Sequence, residues 1–204
     1  KTVLITGDTG FKGSWLAIWL NFLGAKVIGL SKDIPTNPSN YEVSEIKNFI
    51  EEIRIDIQDS AAVRKVVTEF QPDFVFHLAA QPLVLTSYTD PIETISSNVM
   101  GTANILEAIK NSSVKSCIIM TSDKCYDNTN NTKPHIESDP MGGFDPYSAS
   151  KGATELITSC YRNSFFRNEK LVRGIATARA GNVIGGGDWS EDRIIPDSIK
   201  KLSN

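Results

Sequence analysis

Short apolar runs alternate with longer amphipathic segments along the whole chain. Runs rich in β-branched residues predict strands at 2–6, 26–30, 52–56, 73–77, 115–121 and 172–180. Between these runs, apolar residues recur with helical spacing and predict helices at 12–23, 59–70, 91–110, 147–166 and 193–203. Asp59 is placed to cap the second helix, and Pro91 suits the first turn of the third. The alternation of the two patterns predicts a series of βαβ units.

Such a series indicates the α/β class, with a doubly wound parallel sheet that helices cover on both faces. Ligands of these sheets bind in a crevice beyond the carboxyl ends of the strands. The segments of unusual composition follow predicted strands, so we expect them to lie at this crevice. No internal repeat is visible beyond the two halves of the sheet.

Composition and charge narrow the range of partners. The chain has 204 residues, 40% of them hydrophobic, and no apolar run approaches the ~20 residues of a membrane span. A net charge of -3 argues against nucleic acid as the main partner, because binding to a phosphate backbone needs a basic face. Cys117, Cys125 and Cys160 are too irregularly spaced for a disulfide framework or a zinc site, which favours reduced thiols, no bound metal and a cytoplasmic location. The chain starts in its first strand without an initiator Met or signal peptide, and we expect a trimmed domain.

A glycine-rich loop joins the first predicted strand to the first predicted helix. Glycines at such a turn let the backbone approach a pyrophosphate, whose charge is met by free N–H groups and the positive end of the helix dipole. The order of strand, glycine loop and helix is the context that this motif requires. The sequence therefore predicts a dinucleotide site that includes Gly7, Thr9, Gly10, Phe11, Lys12 and Gly13.

Tyr147 and Lys151 are spaced to lie on one face of a helix, one turn apart. A tyrosine titrates near ~10 in water, so it needs a nearby cation to act as a base at neutral pH. Attraction at ~4 Å with an effective dielectric of ~20 is about 4 kcal/mol, or roughly three pKa units. The pair can therefore make a base, although the same spacing is also common on solvated helix faces.

The spacing Gly-x-x-Gly-x-x-Gly, with Tyr-x-x-x-Lys about 135 residues later, resembles the extended branch of the short-chain dehydrogenase/reductase superfamily. The resemblance implies a Rossmann fold and NAD as cofactor. It also implies that Ser31 lies at the cofactor ribose and that Asp56 and Ile57 contact the adenine. Further cofactor contacts are implied at Leu78, Ala79, Ala80, Gln81, Tyr147 and Lys151.

Residues after the fifth strand point to one branch of this superfamily. Ser122 matches the residue that hydrogen-bonds the substrate hydroxyl, and Asp123-Lys124 resembles the ionisable pair of the nucleotide-sugar 4,6-dehydratases. Most of these enzymes have Asp-Glu here, whereas Lys at the second position resembles the branch that acts on CDP-glucose. Five longer stretches resemble the same branch: 10–15, 35–39, 79–84, 140–147 and 179–189.

The mechanism implied by the resemblance is an internal redox reaction that converts CDP-glucose into CDP-4-keto-6-deoxyglucose. Tyr147 removes the proton of the 4-hydroxyl while hydride leaves C4 for NAD, and Lys151 holds the cofactor ribose and lowers the tyrosine pKa. Lys124 is the candidate base at C5, and Asp123 is the candidate acid for the departing C6 hydroxyl. Burial would have to invert the ordinary charge states of that pair. Asn182 and Arg193 are the candidate contacts to the nucleotide diphosphate, with a surface charge as the other interpretation of Arg193.

Some alternatives stay open. Ser31-Lys32-Asp33 stands where NAD-specific members often carry an acid, so NADP is not excluded, and Leu85-Thr86 occupies a stretch that is often basic. A nucleotide-sugar 4-epimerase or reductase would share Tyr147 and Lys151, and a non-catalytic nucleotide-binding scaffold would share the fold.

The resemblance also implies a domain division and an assembly. We expect 1–185 to form the NAD-binding domain with the catalytic residues, and 186–204 to start a substrate-binding lobe that is mostly missing from the chain. Without that lobe, we expect NAD binding and little dehydratase activity. The family pairs its helices at 91–110 and 147–166 in a homodimer.

Overall fold

Parallel strands form the centre of the molecule. The computed structural model describes residues 1–127, 133–168, 171–172 and 174–202. Its strands are β1 (Thr2–Thr6), β2 (Lys26–Ser31), β3 (Glu51–Arg54), β4 (Phe74–His77), β5 (Ser116–Met120), β6 (Arg167–Asn168), β7 (Leu171–Val172) and β8 (Gly174–Ala178). The main sheet has six parallel strands in the order β3-β2-β1-β4-β5-β8, and β6 pairs with β7 in a short antiparallel ladder. Strand order reverses between β1 and β4, which confirms the predicted doubly wound α/β sheet and places a crevice at that point.

Helices connect the strands and flank the sheet. They are α1 (Phe11–Phe22), α2 (Asn40–Val43), α3 (Ser60–Phe70), α4 (Val84–Thr89), α5 (Pro91–Ile95), α6 (Gly101–Lys110), α7 (Pro146–Tyr161) and α8 (Ile194–Leu202). The expected caps are present, since Asp59 accepts hydrogen bonds from the N–H groups of Ala61 and Ala62, and Pro91 occupies the first turn of α5. Short 3₁₀ turns lie at Ile46–Asn48 and Asp123–Cys125.

The structure differs from the predicted elements in several places. The third strand is Glu51–Arg54 rather than 52–56, because the chain leaves the sheet before Asp56. The helix predicted at 91–110 consists of α5 and α6 joined by a π-helical turn, Ser96–Met100, and a second π-helical turn, Arg162–Phe166, follows α7. The helices α2 and α4 and the antiparallel pair of β6 and β7 were not predicted. Residue 173 of the predicted sixth strand and residue 203 of the predicted last helix lie outside the described residues.

The core is divided between the two faces of the sheet. Successive residues of β1 point to opposite faces, so that Leu4 packs with α3 and α6 while Val3 and Ile5 pack on the side of α1. Both faces are buried, which explains the nearly continuous apolar runs of the central strands. In the part of the chain that the structure describes, no helix is both long and apolar enough to cross a bilayer.

Candidate active site

A crevice of about 770 Å³ lies beyond the carboxyl ends of the strands. Its walls are the glycine loop, the segments that follow β2, β3, β4 and β5, the start of α7 and the segment from Ala180 to Ile199. Of the predicted site residues, all line this crevice except Gln81 and Asp123. The fold thus brings together side chains from both halves of the chain.

The glycine loop fits a pyrophosphate closely. Gly7 has a φ of 77°, and a Cβ at this position would lie 2.6 Å from the backbone nitrogen of Ala79. A Cβ on Gly13 would lie 1.9 Å from the carbonyl oxygen of Gly7. Gly10 caps α1 without a side-chain hydrogen bond, so the first N–H groups of the helix face the crevice unshielded. A side chain at Gly7 or Gly13 would destroy this cradle.

One end of the crevice carries charges that are already neutralised. We call it the paired end, defined by Ser31, Lys32, Asp56 and Glu93. Lys32 Nζ lies 3.3 Å from Glu93 Oε1 and 3.5 Å from Asp56 Oδ2. The Ser31 hydroxyl donates a 2.6 Å hydrogen bond to Asp8 Oδ1, so it can only accept from a ligand. The pairing of Lys32 leaves no free cation for a phosphate among these four residues, and Ser31 has no free proton to donate to one. The two contacts together suit a ribose hydroxyl.

Ser122 and Tyr147 meet at the opposite end. Ser122 follows β5, and Tyr147 lies in the first turn of α7, where Asp145 caps the helix through the Ser148 N–H. Burial raises the pKa of Tyr147, and this effect outweighs the hydrogen bond with Ser122 and the charge of Arg193, which both lower it. The prediction of a lowered tyrosine pKa is therefore wrong for this structure, because desolvation of the phenolate dominates.

Lys151 lies one turn beyond Tyr147, as the spacing predicted. Its Nζ is 5.8 Å from the centre of the Tyr147 ring, and the residue is 5% exposed. Burial lowers the pKa of Lys151 to about 8, and the charge of Lys12 adds to this effect. Lys151 is thus a buried ammonium at the floor of the crevice.

We call Lys12, Lys151 and Arg193 the cationic end. Among the described residues, no carboxylate lies within hydrogen-bond distance of these three side chains. Arg193 Nε is buried and has no hydrogen-bond partner, and the carboxylate facing it, Asp188, is 4.0 Å away. Burial lowers the pKa of Lys12, and the charge of Arg193 lowers it further. Of the three positive charges of the cationic end, only that of Arg193 has an ion-pair partner among the described residues.

The Asp123-Lys124 pair is more open than the sequence predicted. Lys124 Nζ lies 3.3 Å from Asp123 Oδ1 and 3.5 Å from Asn182 Oδ1. The side chains of Lys124 and Asp123 are 37% and 53% exposed, so the expected burial is not found. Asn182 is brought to this pair by the segment after β8.

Gln81 does not line the crevice and instead forms hydrogen bonds that hold the segment after β4. Its side chain donates to the carbonyl oxygen of Leu83 and to Thr94 Oγ1, while Asn98 pairs with both its backbone N–H and its carbonyl. Asn98 also donates a 2.8 Å hydrogen bond to Ser150 Oγ. These hydrogen bonds tie the segment after β4 to α7.

A second supporting network was not predicted. Glu155 is buried and accepts hydrogen bonds from Thr121, Thr177 and the Arg179 guanidinium. Thr121 directly precedes Ser122, and Glu155 lies one turn after Lys151, so the network joins the end of β5 to α7. The repeat of Tyr147, Lys151 and Glu155 at intervals of four was the available signal in the sequence.

The sheet order, the glycine cradle and the grouping of Ser122, Tyr147 and Lys151 define a protein of the short-chain dehydrogenase/reductase type. A family model described as GDP-mannose 4,6 dehydratase matches residues 4–181. The chain therefore belongs to the GDP-mannose 4,6 dehydratase family.

Known relatives agree with this assignment. The CDP-glucose 4,6-dehydratase of Salmonella typhimurium is 50% identical over 208 residues, which cover 100% of this chain and 58% of that protein. A dTDP-D-glucose 4,6-dehydratase of Dictyostelium discoideum is 34% identical, with 100% of this chain and 48% of that protein covered. The crystal structure of a Thermus thermophilus UDP-glucose 4-epimerase in complex with NAD superposes with a TM-score of 0.79 at 29% identity, covering 94% of this chain and 59% of that one. The chain thus spans between 48% and 59% of the length of these proteins.

Proposed function

We propose that the chain binds NAD in the crevice and carries the reacting residues for the dehydration of CDP-glucose to CDP-4-keto-6-deoxyglucose. The observation that carries the proposal is the assembly of Ser122, Tyr147 and Lys151 in one crevice with the glycine cradle, next to the Asp123-Lys124 pair. The 50% identity to the Salmonella CDP-glucose 4,6-dehydratase supports the choice of substrate.

The residues of the crevice fit NAD. The cradle formed by Gly7, Gly10 and Gly13 suits the pyrophosphate, and Ser31 can accept a hydrogen bond from a ribose hydroxyl. Lys32 is engaged by two carboxylates, which favours NAD over NADP at the paired end. When bound, NAD supplies an acceptor for the C4 hydride, which is later returned to C6.

Tyr147 and its neighbours handle the first proton. The phenolate oxygen of Tyr147 takes the proton of the sugar 4-hydroxyl, and Ser122 holds that hydroxyl by a hydrogen bond. Arg193 and the Ser122 hydrogen bond favour the phenolate, against the cost of burial. Lys151 would hold the ribose of the bound cofactor.

Lys124 and Asp123 handle the loss of water. The 4-ketone acidifies the C5–H bond, the neutral amine of Lys124 removes that proton, and the carboxylic acid of Asp123 protonates the C6 hydroxyl as it leaves. The ammonium of Lys124 then returns a proton to C5 when C6 is reduced. The two side chains lie 3.3 Å apart as an ion pair, so one proton must pass from Lys124 to Asp123 to give the two neutral groups before elimination. A bound sugar would cover both exposed side chains and favour this transfer, because desolvation disfavours the charged forms.

The region after the NAD-binding domain completes the proposed site. We assign 1–185 to that domain and 186–204 to the start of a substrate-binding region, with Asn182 and Arg193 as phosphate contacts. Exposed apolar residues on α8 support this division: Ile194, Ile199 and Leu202 are 76%, 55% and 87% exposed. Further chain packed on this face would exclude water from the sugar.

A homodimer through residues 91–110 and 147–166 is also part of the proposal. Ile95, Met100 and Leu156 are exposed on these segments and could form an apolar interface. Analytical ultracentrifugation of the wild-type chain and a Met100→Glu variant tests this assembly. The unpaired thiols of Cys117, Cys125 and Cys160 support a cytoplasmic location.

Incubation with NAD and a series of nucleotide-glucoses tests the reaction, with the Salmonella enzyme as positive control. The expected outcome is NAD binding by the chain, with a keto product from CDP-glucose that forms much more slowly than in the longer relative. Interconversion of UDP-glucose and its 4-epimer without loss of water would identify a 4-epimerase, the alternative that the Thermus structure favours.

A further inference from the structure

The crevice must satisfy two anions if it holds both a dinucleotide and a nucleotide sugar. The glycine loop binds the first anion with backbone N–H groups. Gly7 and Gly13 have no side chains, and this lets the backbone of the loop pack closely enough to form the cradle. That arrangement requires no side-chain cation. The ammonium of Lys12, although it belongs to the same loop, is therefore available for a second anion.

The position of Lys12 indicates where that second anion lies. Its half-buried side chain lines the same crevice as Arg193 and Lys151, and the three charges are close enough to affect one another. The wall formed by Pro82, Leu83 and Leu85 also lines the crevice but offers no cation. Lys32 and Lys124 also line the crevice but are paired with carboxylates, and Lys151 is assigned to the cofactor ribose. Among the described residues, Lys12 and Arg193 are then the cations left for a ligand phosphate.

One carboxylate, Asp188, forms an ion pair with Arg193, whereas none of the described residues forms one with Lys12. Asp188 stays 4.0 Å from Arg193 Nε, and it accepts a hydrogen bond from the backbone N–H of Ser190. Asp192 also lines the crevice but forms no ion pair with Lys12 or Arg193 within the described residues. A partly buried ammonium without such a partner, as at Lys12, is costly, and a diphosphate between Lys12 and Arg193 would offset that cost.

We propose that Lys12 and Arg193 form a diphosphate clamp for the nucleotide sugar, so that Lys12 is a substrate-binding residue located in the cofactor loop. This inference rests on the proposed function, since it places a nucleoside diphosphate beside the dinucleotide. The clamp also places substrate charge next to Lys151. Binding of substrate then reduces the repulsion between Lys12 and Lys151 and favours the protonated form of Lys151.

Calorimetric titration of the chain with NAD, CDP and cytidine tests the clamp. The test variant is Lys12→Met, which keeps the length of the side chain and removes its charge. Lys65→Met removes an exposed lysine from α3 and is the charge-matched control. Lys12→Arg is the conservative variant that restores the cation.

We expect Lys12→Met to weaken CDP binding at least ~10-fold, because a charge-assisted hydrogen bond is lost. Its affinities for NAD and cytidine should stay within ~3-fold of wild type, which also shows that the variant is folded. Lys12→Arg should restore CDP binding, and Lys65→Met should match wild type for each ligand.

Other results overturn the clamp. Weaker NAD binding with unchanged CDP binding assigns Lys12 to the cofactor, and unchanged binding of both removes any role for it in anion recognition. A wild-type chain without affinity for CDP, UDP or dTDP also overturns it. If the chain binds UDP and not CDP, the proposal that CDP-glucose is the substrate is wrong. A tenfold loss of UDP affinity in Lys12→Met would still support the clamp.

Discussion

The paired end and the cationic end of the crevice hold their lysines in opposite ways. Lys32 lies 3.3 Å from Glu93 and 3.5 Å from Asp56, so its charge is neutralised within the protein. Lys12 and Lys151 line the same crevice, yet no carboxylate of the described residues reaches either of them. Removing an ammonium from water without a partner is costly, so the fold does so only where a ligand can offset the cost. The difference indicates that the cationic end is built around anions that the protein does not itself supply.

The strongest test of this contrast removes the phenol at the cationic end. Tyr147→Phe should lower turnover by at least ~10²-fold, because the acceptor of the 4-hydroxyl proton is lost. NAD affinity, measured by titration, should change little because the cradle is intact. Tyr88→Phe on exposed α4 is the matched control. Near-normal turnover in Tyr147→Phe would remove Tyr147 from the reaction.

The next test separates oxidation from elimination at the same end. Lys124→Met should still reduce bound NAD when CDP-glucose is added, since Tyr147 and Lys151 are untouched. Incorporation of solvent hydrogen at C5 should fall by about 10²-fold, because its base is missing. Mass spectrometry in heavy water measures this exchange, and Lys65→Met should behave as wild type. Dehydration at the normal rate would move the base to another residue.

A smaller effect concerns the buried imidazole of His77, which is close enough to Lys151 to be influenced by its charge. His77 is buried between Thr6 and Thr102, and burial together with the charge of Lys151 lowers its pKa from 6.5 to about 3. Between these values the unfolded chain binds the proton and the folded chain does not, so stability is lost as pH falls below 6.5. The loss attributable to this group is about 1 kcal/mol per pH unit.

Urea unfolding at pH values of about 5.5 and 4.5 measures this loss. Wild type should lose about 1 kcal/mol more than His77→Asn over that interval. Equal losses in wild type and His77→Asn would show that His77 accepts a proton in the folded state.

The smallest expected effect lies at the paired end. Glu93→Gln removes one of the two carboxylates that hold Lys32, which frees its ammonium for a 2′-phosphate. NADP affinity should rise roughly threefold while NAD affinity stays constant, as expected for a solvent-exposed ion pair. The gain should disappear in Glu93→Gln combined with Lys32→Met. An unchanged ratio of the two affinities would mean that pairing of Lys32 does not set the cofactor preference.

The sequence allowed the parallel sheet and most of the crevice to be predicted, because both depend on local patterns. Apolar runs marked the central strands, and the glycine spacing marked the cradle. Strand β3 was displaced in the prediction because its residues are polar and partly exposed at the edge of the sheet, where the hydrophobic signal is weak. The helices α2 and α4 are too short to show a helical period.

Charge states were harder to predict than positions. The spacing placed Lys151 beside Tyr147 correctly, but it contained no information on how deeply the phenol is buried. The same limit applies to the Asp123-Lys124 pair, whose exposure depends on segments distant in the sequence. Glu155 and Arg179 were missed because their contacts join α7 to the segment after β8 and exist only after folding.

Because of the π-helical turn at Ser96–Met100, the arrangement of the site depends on the number of residues in this segment as well as on their identity. A turn of this kind holds one residue more than an α-helical turn, and one residue corresponds to a rotation of about 100° around the helix axis. The extra residue lets Asn98 face Gln81 and Ser150 while Ile105 and Ile109 remain in the core. A single deletion within Ser96–Met100 would bring Asn98 onto the same helix face as Ile105 and Ile109. A change in the length of this stretch should therefore be more disruptive than a substitution of its exposed residue, Met100.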